Sequence, residues 1–220
     1  MSDQAKRNSC AILCLSFEDH EWPYEYTDHD REIVRAIVVD DDGAFYFCRA
    51  DRDDDFGRSH LIETSGGGVE PGEDFETAIR RELREELGAE VEVVREIALV
   101  VDYYNLIHRR NLNHYYLCRV MRFGERDLTP EEVSCYHLAT LRLSYDEALL
   151  EYDKCSDSRL GRLIAQRETP VLKEAGRILR NHQLFLRQKA LLDQFLANGA
   201  ISKAQYDKSF GDLKEKMGKR

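Results

Sequence analysis

The stretch Gly67-Gly68-Val69-Glu70-Pro71-Gly72-Glu73-Asp74-Phe75-Glu76-Thr77-Ala78-Ile79-Arg80-Arg81-Glu82-Leu83-Arg84-Glu85-Glu86-Leu87-Gly88 decides how this chain is read. From Asp74 to Leu87 it has helical period: Phe75, Ile79, Leu83 and Leu87 recur every four residues as an apolar stripe, and Gly88 ends it. Glu82, Glu85 and Glu86 stand at i, i+3 and i+4 of that helix, so three carboxylates project from neighbouring positions beside the stripe. Burial of the stripe sets the rotation of the helix and holds the carboxylates at the rim of whatever cleft adjoins it. Such a group suits a hard divalent cation, because Mg²⁺ takes oxygen ligands and bridges carboxylates to phosphates. Glycines ahead of the helix let backbone approach an ion or a phosphate closely. A cation held there would activate water and neutralise phosphate oxygens, which is the chemistry of phosphoanhydride hydrolysis. Glu85 and Glu86 alone would read as a solvated face paired with Arg80, Arg81 and Arg84; the full spacing with the glycines argues otherwise.

Outward from this stretch, Cys10 to Phe17, Ile33 to Val39 and Ala44 to Ala50 have strand composition, with hairpin-turn chemistry at Asp40-Asp41-Asp42-Gly43. Val91 to Tyr104 and His114 to Met121 return to strand composition. Thr129-Pro130-Glu131-Glu132 and Ser144-Tyr145-Asp146-Glu147 are capping boxes that open short helices. From about Ser156 the pattern is helical, with breaks expected at Thr169-Pro170 and Asn198-Gly199 and a last helix capped by Ser202 and Gln205. The fold class expected is a mixed α/β sandwich, residues 1–155 forming one domain and 156–220 a helical extension. Leu172, Ala175, Leu179, Leu186, Leu192 and Leu196 recur at helical spacing in that extension, which suits packing on the domain or on a second copy in a homodimer.

Gly67, Glu73 and the run Arg81-Glu82-Leu83-Arg84-Glu85-Glu86-Leu87-Gly88 together resemble the Nudix box, and the order of strands, glycine loop and helix from Cys10 to Tyr152 is similar to a whole Nudix domain. The resemblance implies an α/β/α sandwich with a mixed sheet and a Mg²⁺-dependent hydrolase, Mn²⁺ being an acceptable substitute. The substrate it implies is a small nucleotide: a nucleoside triphosphate, nucleotide sugar or dinucleotide. It also implies that Glu82, Glu85, Glu86 and the Gly67 carbonyl ligate the metal, that one of the glutamates positions or deprotonates the attacking water, and that Arg81 and Glu73 orient them. A further acid outside the box often completes such a site, and Glu132 or Glu131 lies in a suitable region, although Glu132 also closes the Thr129 cap. Two departures stand out: Ala89 replaces a larger aliphatic residue, and Glu63-Thr64-Ser65 replaces an aromatic-x-Pro sequence. A nucleotide-sensing module without catalysis and an isomerase of the same fold are the other readings, both disfavoured by the complete carboxylate set.

Tyr103-Tyr104, His108-Arg109-Arg110 and His114-Tyr115-Tyr116 combine aromatic faces with positive charge, which suits stacking a base and holding phosphate. Tyr104, Arg109 and Arg110 are the substrate contacts expected from them. His60 could meet a phosphate but reads better as a solvated loop residue, as does the acidic run Asp51 to Asp55.

The 220 residues carry 32 Lys and Arg against 42 Asp and Glu, a net charge of −10. No basic stripe is present, which argues against extended nucleic acid as a partner. No apolar run approaches the roughly 20 residues that span a bilayer, and Met1 to Asn8 lacks a signal-peptide pattern, so a cytoplasmic protein without a membrane partner is expected. The six cysteines, Cys10, Cys14, Cys48, Cys118, Cys135 and Cys155, include no Cys-x-x-Cys pair and read as reduced core residues.

Overall fold

A computed structural model describes residues 12–217, the side chain of residue 131 excepted. The chain divides into two compact units, one of Ile12–Glu174 and one whose described part is 175–217. The first unit is built on a mixed seven-stranded sheet: β1 (Leu13–Phe17), β2 (His29–Val39), β3 (Phe45–Asp54), β4 (Gly57–Glu63), β5 (Ala89–Tyr104), β6 (Arg109–Phe123) and β7 (Ala139–Leu143). Spatial order is β1-β5-β6-β2-β3-β4, with β7 paired to β3. β1 with β5 and β2 with β6 are parallel, and the other pairs are antiparallel. Helix α1 (Phe75–Leu87) lies between β4 and β5 and α2 (Pro130–Ser134) between β6 and β7, while α3 (Tyr145–Cys155), α4 (Arg159–Ala197) and α5 (Lys203–Lys216) follow the last strand. The fold is α/β with a mixed sheet and a C-terminal helical region.

Helix α1 forms as its sequence dictates. Asp74 caps it by accepting from the Thr77 amide, and Gly88 ends it at φ 65°, a left-handed conformation that only glycine adopts without strain. Ala78, Ile79, Leu83 and Leu87 are buried against Val34, Ala36, Val91 and Cys118 of the sheet. At about 1.5–3 kcal/mol for each large apolar side chain, that burial outweighs the modest helix propensity of the segment and fixes its rotation.

β2 pairs with β3 only at Val38 and Val39. Beyond that point the glycine loop takes the place of β3 beside β2: the Ala36 amide donates to the Ser65 carbonyl at 2.9 Å, the Val34 amide to the Gly67 carbonyl at 3.0 Å, and Ile33 bridges Gly68. Gly66 sits at φ 144°, and a Cβ there would overlap the Val34 carbonyl, so glycine is required for this close approach.

Several sequence expectations need correction. Asp51 to Asp54 belong to β3, and the sheet also contains β4 and β7, which the sequence does not announce: β4 opens with the polar run Gly57-Arg58-Ser59-His60, and β7 is only five residues long. Helix α4 runs unbroken through Pro170. The missing hydrogen bond and ring clash cost about 3 kcal/mol, while Val171 and Leu172 just beyond are fully buried and return about 1.5–3 kcal/mol each. Cys48, Cys118 and Cys155 are buried free thiols as expected, but Cys14 and Cys135 are exposed, and Cys10 lies outside the described residues. Among the described residues no helix is long and apolar enough to cross a membrane.

The second unit rests on apolar contact between the end of α4 and α5. The Phe185 and Phe210 rings lie 6.3 Å apart, and the Tyr206 hydroxyl donates to Asp193 at 2.6 Å. The expected cap of α5 is present, Ser202 and Gln205 bonding each other's backbone amides. Leu186 is 49% exposed, in contrast to Leu172 and Ala175, which are buried in the two units respectively.

Candidate active site

The carboxylates of α1 are held by two different devices. The Arg81 guanidinium forks onto Glu73, donating through Nε at 3.1 Å and Nη2 at 3.0 Å, and also reaches Glu82 at 2.8 Å, Glu85 at 3.3 Å and the Gly68 carbonyl at 3.1 Å. Arg81 thus ties the loop to the helix. The Glu73 carboxyl is held below its ordinary range, first by the Arg81 hydrogen bonds. Glu86 turns the other way: its Oε2 accepts from the Ser65 hydroxyl and from the Gly66 amide at 2.9 Å, and the Cys48 thiol lies 3.7 Å away.

Burial pushes Glu86 up to about 7, with the charges of Glu82 and Glu132 adding to the effect and the Ser65 and Gly66 bonds opposing it. Burial also raises Glu82, against the pull of Arg81 and with the repulsion of Glu85 and Glu132. Glu132 therefore acts electrostatically on both. It closes the Thr129 capping box as well, accepting from the Thr129 amide at 2.7 Å and its hydroxyl at 2.9 Å. The side chain of Glu131 lies outside the described residues.

Helical spacing alone does not aim the three box glutamates at one point. Among the described residues, no group of three or more His, Cys, Asp or Glu side chains stands in a metal-holding arrangement. The reason is visible in their partners: Arg81 draws Glu82 and Glu85 to one side while Ser65 and Gly66 draw Glu86 to the other. The donors nevertheless fit a hard cation. All are oxygens, their mutual repulsion calls for positive charge, and Gly67 lies so close to the Glu82 carboxylate that a Cβ would overlap it. The Gly67 carbonyl accepts from Val34 and retains a second lone pair.

A cavity of about 360 Å³ adjoins this group, lined by Gly66, Gly67, Glu86 and Glu132 together with Arg31, Arg35 and Arg109. Arg31, Ile33 and Arg35 reach it from one face of β2, since alternate strand residues share a face. Arg109 enters from β6, its guanidinium 5.7 Å from the Tyr104 ring centre, and its Nε is buried without a hydrogen-bond partner. Burial lowers the Arg109 pKa, and repulsion from Arg31 and Arg35 lowers it further. Neither Arg31 nor Arg109 is ion-paired among the described residues.

The structure brings Tyr104 and Arg109 to the cavity but not Arg110. Arg110 follows Arg109 on the same strand, so it points to the opposite face, where it pairs with Asp30 at 3.1 Å. His60 is also elsewhere, bonded to Asp51 at 2.8 Å, and His114 is bonded to Glu32 and Glu96. The Tyr104 hydroxyl is already taken by Arg167 at 2.8 Å, so this residue offers the cavity its body rather than its polar tip.

Arg31, Arg35, Ser65, Asn111, Arg167 and Glu168 escaped the sequence reading. Two arginines four apart in an apolar strand were the available signal for Arg31 and Arg35. An Arg-Glu pair in a helix gives none, because solvated helices are full of them.

A family model described as NUDIX domain matches residues 29–159. The nucleoside triphosphatase NudI of Escherichia coli (strain K12) is 49% identical over 61 residues, covering 26% of this chain and 42% of that protein. Its counterpart in Enterobacter sp. (strain 638) is 45% identical over 58 residues, covering 26% and 39%. The chain thus matches less than half the length of these curated relatives. Among solved structures, the E. coli ORF135 protein is 28% identical with a TM-score of 0.46, covering 66% of this chain and 87% of that one. A NUDIX hydrolase from Nitrosomonas europaea is 18% identical with a TM-score of 0.47, covering 56% and 78%. With a family model spanning more than half of its residues, and the box helix, glycine loop and mixed sheet in place, the chain belongs to the Nudix family.

Proposed function

We propose that this chain is a pyrophosphohydrolase that uses Mg²⁺, or Mn²⁺ in its place, to cleave a phosphoanhydride bond of a small nucleoside diphosphate derivative. The observation that carries the reading is the cavity in which acidic residues and the glycine loop meet Arg31 and Arg109, two guanidinium groups with no acidic partner among the described residues. A phosphate chain satisfies both sides, since its oxygens accept from guanidinium groups and share cations with carboxylates.

Glu82, Glu85, Glu86 and the Gly67 carbonyl would hold the cation, with Glu132 completing the charge. When bound, the cation supplies charge neutralisation at the phosphates and a lowered pKa for water. Arg81 and Glu73 aim the carboxylates. Glu85, whose side chain is 40% exposed, has the solvent access to take the proton from the attacking water, with Glu82 beside it. Arg31 and Arg109 take phosphate oxygens, and Tyr104 offers an apolar face for the rest of the substrate. A nucleoside triphosphate heads the list of substrates, as in the activity named for NudI, ahead of nucleotide sugars and dinucleotides. The scarcity of basic surface favours such compounds over capped RNA. The helices beyond residue 156 serve chiefly packing or self-association.

Purified protein incubated with nucleoside triphosphates, nucleotide sugars and dinucleotides tests the reading. Turnover of at least one compound is expected with Mg²⁺ or Mn²⁺, its loss in excess chelator, and a fall of about 100-fold or more in Glu86→Gln. A chain that turns over no compound, or a variant as active as the parent, overturns it. Tight nucleotide binding without product would mark a sensor instead.

A further inference from the structure

Arg167 and Glu168 lie beyond residues 29–159, the span of the family match, yet within the first compact unit. Both are buried, at 1% and 0% exposure. Resting on the hydrolase reading above, we propose that Glu168 is a positioning residue of the active site: its buried carboxylate holds the segment Thr64–Gly66 that seats Glu86, and the guanidinium of Arg35 that lines the cavity.

The connections are short and continuous. Glu168 Oε2 accepts from the Thr64 amide at 2.7 Å and from the Tyr152 hydroxyl at 2.7 Å, and Oε1 accepts from the Thr64 hydroxyl at 2.8 Å. The next two residues, Ser65 and Gly66, donate to Glu86. One carboxylate on α4 therefore grips the residue before the pair that grips a second carboxylate on α1.

On its other side Glu168 lies 3.5 Å from Arg35 and accepts from Arg167 at 2.9 Å. Arg167 also donates to Asp102 at 3.0 Å, Asp102 accepts from Asn113 at 2.9 Å, and Asn113 accepts from Arg35 at 3.1 Å. The circuit closes on itself with the charges of Arg35 and Arg167 balanced by Asp102 and Glu168. It touches the cavity through Arg35, Tyr104 and Thr64.

Apolar side chains would fill this space at less desolvation cost than four buried charges. The circuit adds direction: fixed bonds hold the loop and the guanidinium in one geometry, as partners behind ligating groups do elsewhere. The Glu168 carboxyl stays below its ordinary range despite burial, because Arg167 and Arg35 hold it ionised.

The test is Mn²⁺ affinity by calorimetry together with steady-state kinetics of Glu168→Gln in the full chain. The expected result is a folded variant with Mn²⁺ affinity weakened about tenfold and kcat lowered about 10–100-fold, KM changing less. In a double-mutant cycle with Glu86→Gln the losses in Mn²⁺ affinity should not add, because Glu168 acts through Glu86. A folded Glu168→Gln with the parent's Mn²⁺ affinity and kcat overturns the proposal. Should Glu168→Gln fail to fold, Thr64→Val decides the matter: it deletes one bond to Glu168, keeps every charge paired, and should weaken Mn²⁺ binding and kcat about fivefold. Parent-like values for that variant overturn the proposal equally. Mn²⁺ binding without turnover in the parent chain would overturn the hydrolase reading, while the affinity comparison would still decide the role of Glu168.

Discussion

Gly67 lies against Glu82 so closely that a Cβ on the glycine would overlap the glutamate's carboxylate. Loop and helix are therefore in contact at a position where one methyl group separates two outcomes. The obstructing atoms are the far end of a flexible side chain, so Gly67→Ala should push Glu82 aside without unfolding the protein. We expect kcat to fall about tenfold or more and the melting temperature to stay within about 3 °C of the parent. Gly66→Ala should behave in the opposite manner. There the obstruction is the Val34 backbone and φ is 144°, so melting should drop sharply. Thermal melts of the two variants beside their kinetics check the contrast, and equal melting points would refute it.

Glu86 makes stability depend on pH. Its carboxyl sits at about 7 in the folded chain against an ordinary 4.5, so between these values the folded chain retains a proton that the unfolded chain has released. Stability of the metal-free chain from this group is therefore full below pH 4.5, falls as pH rises through the window, and levels off above about 7. The loss amounts to about 3 kcal/mol. Denaturant unfolding in chelator from pH 4.5 to 8 should show the parent losing stability relative to Glu86→Gln. Parallel curves would dismiss the effect.

Arg81 meets Glu73, Glu82, Glu85 and the Gly68 carbonyl through one planar group. A lysine carries the charge but not the fork. Arg81→Lys should lower kcat about 10–100-fold with KM changed only a few-fold, the pattern of lost orientation. Full activity in Arg81→Lys would mean that a point charge suffices.

Arg31 and Arg109 face the cavity with no acidic partner among the described residues. Replacing either with alanine should raise KM by about tenfold or more, the worth of one hydrogen bond to a charged group, and leave kcat within a few-fold. Relief of repulsion at Arg109 should also keep Arg31→Ala at least as stable as the parent. An unchanged KM in both variants would remove these arginines from the substrate site.

Much of this protein was legible in its sequence because the information was local. The apolar stripe from Phe75 to Leu87, the caps at Ser144 and Ser202, and the terminating Gly88 are decided within a few residues of themselves, and all are present in the fold. The family followed from the same short stretch. Tertiary structure decided what depends on distant partners. It ran α4 through Pro170, because buried neighbours on both sides outweigh one lost hydrogen bond. It turned Arg109 inward and Arg110 outward, because the strand alternates and the hairpin begins where it does. It also set Glu168 behind Thr64, 104 residues away in the chain, where an ordinary Arg-Glu pair becomes a buried circuit. Burial converts a common sequence pattern into a specific device, and burial is a property of the folded chain alone.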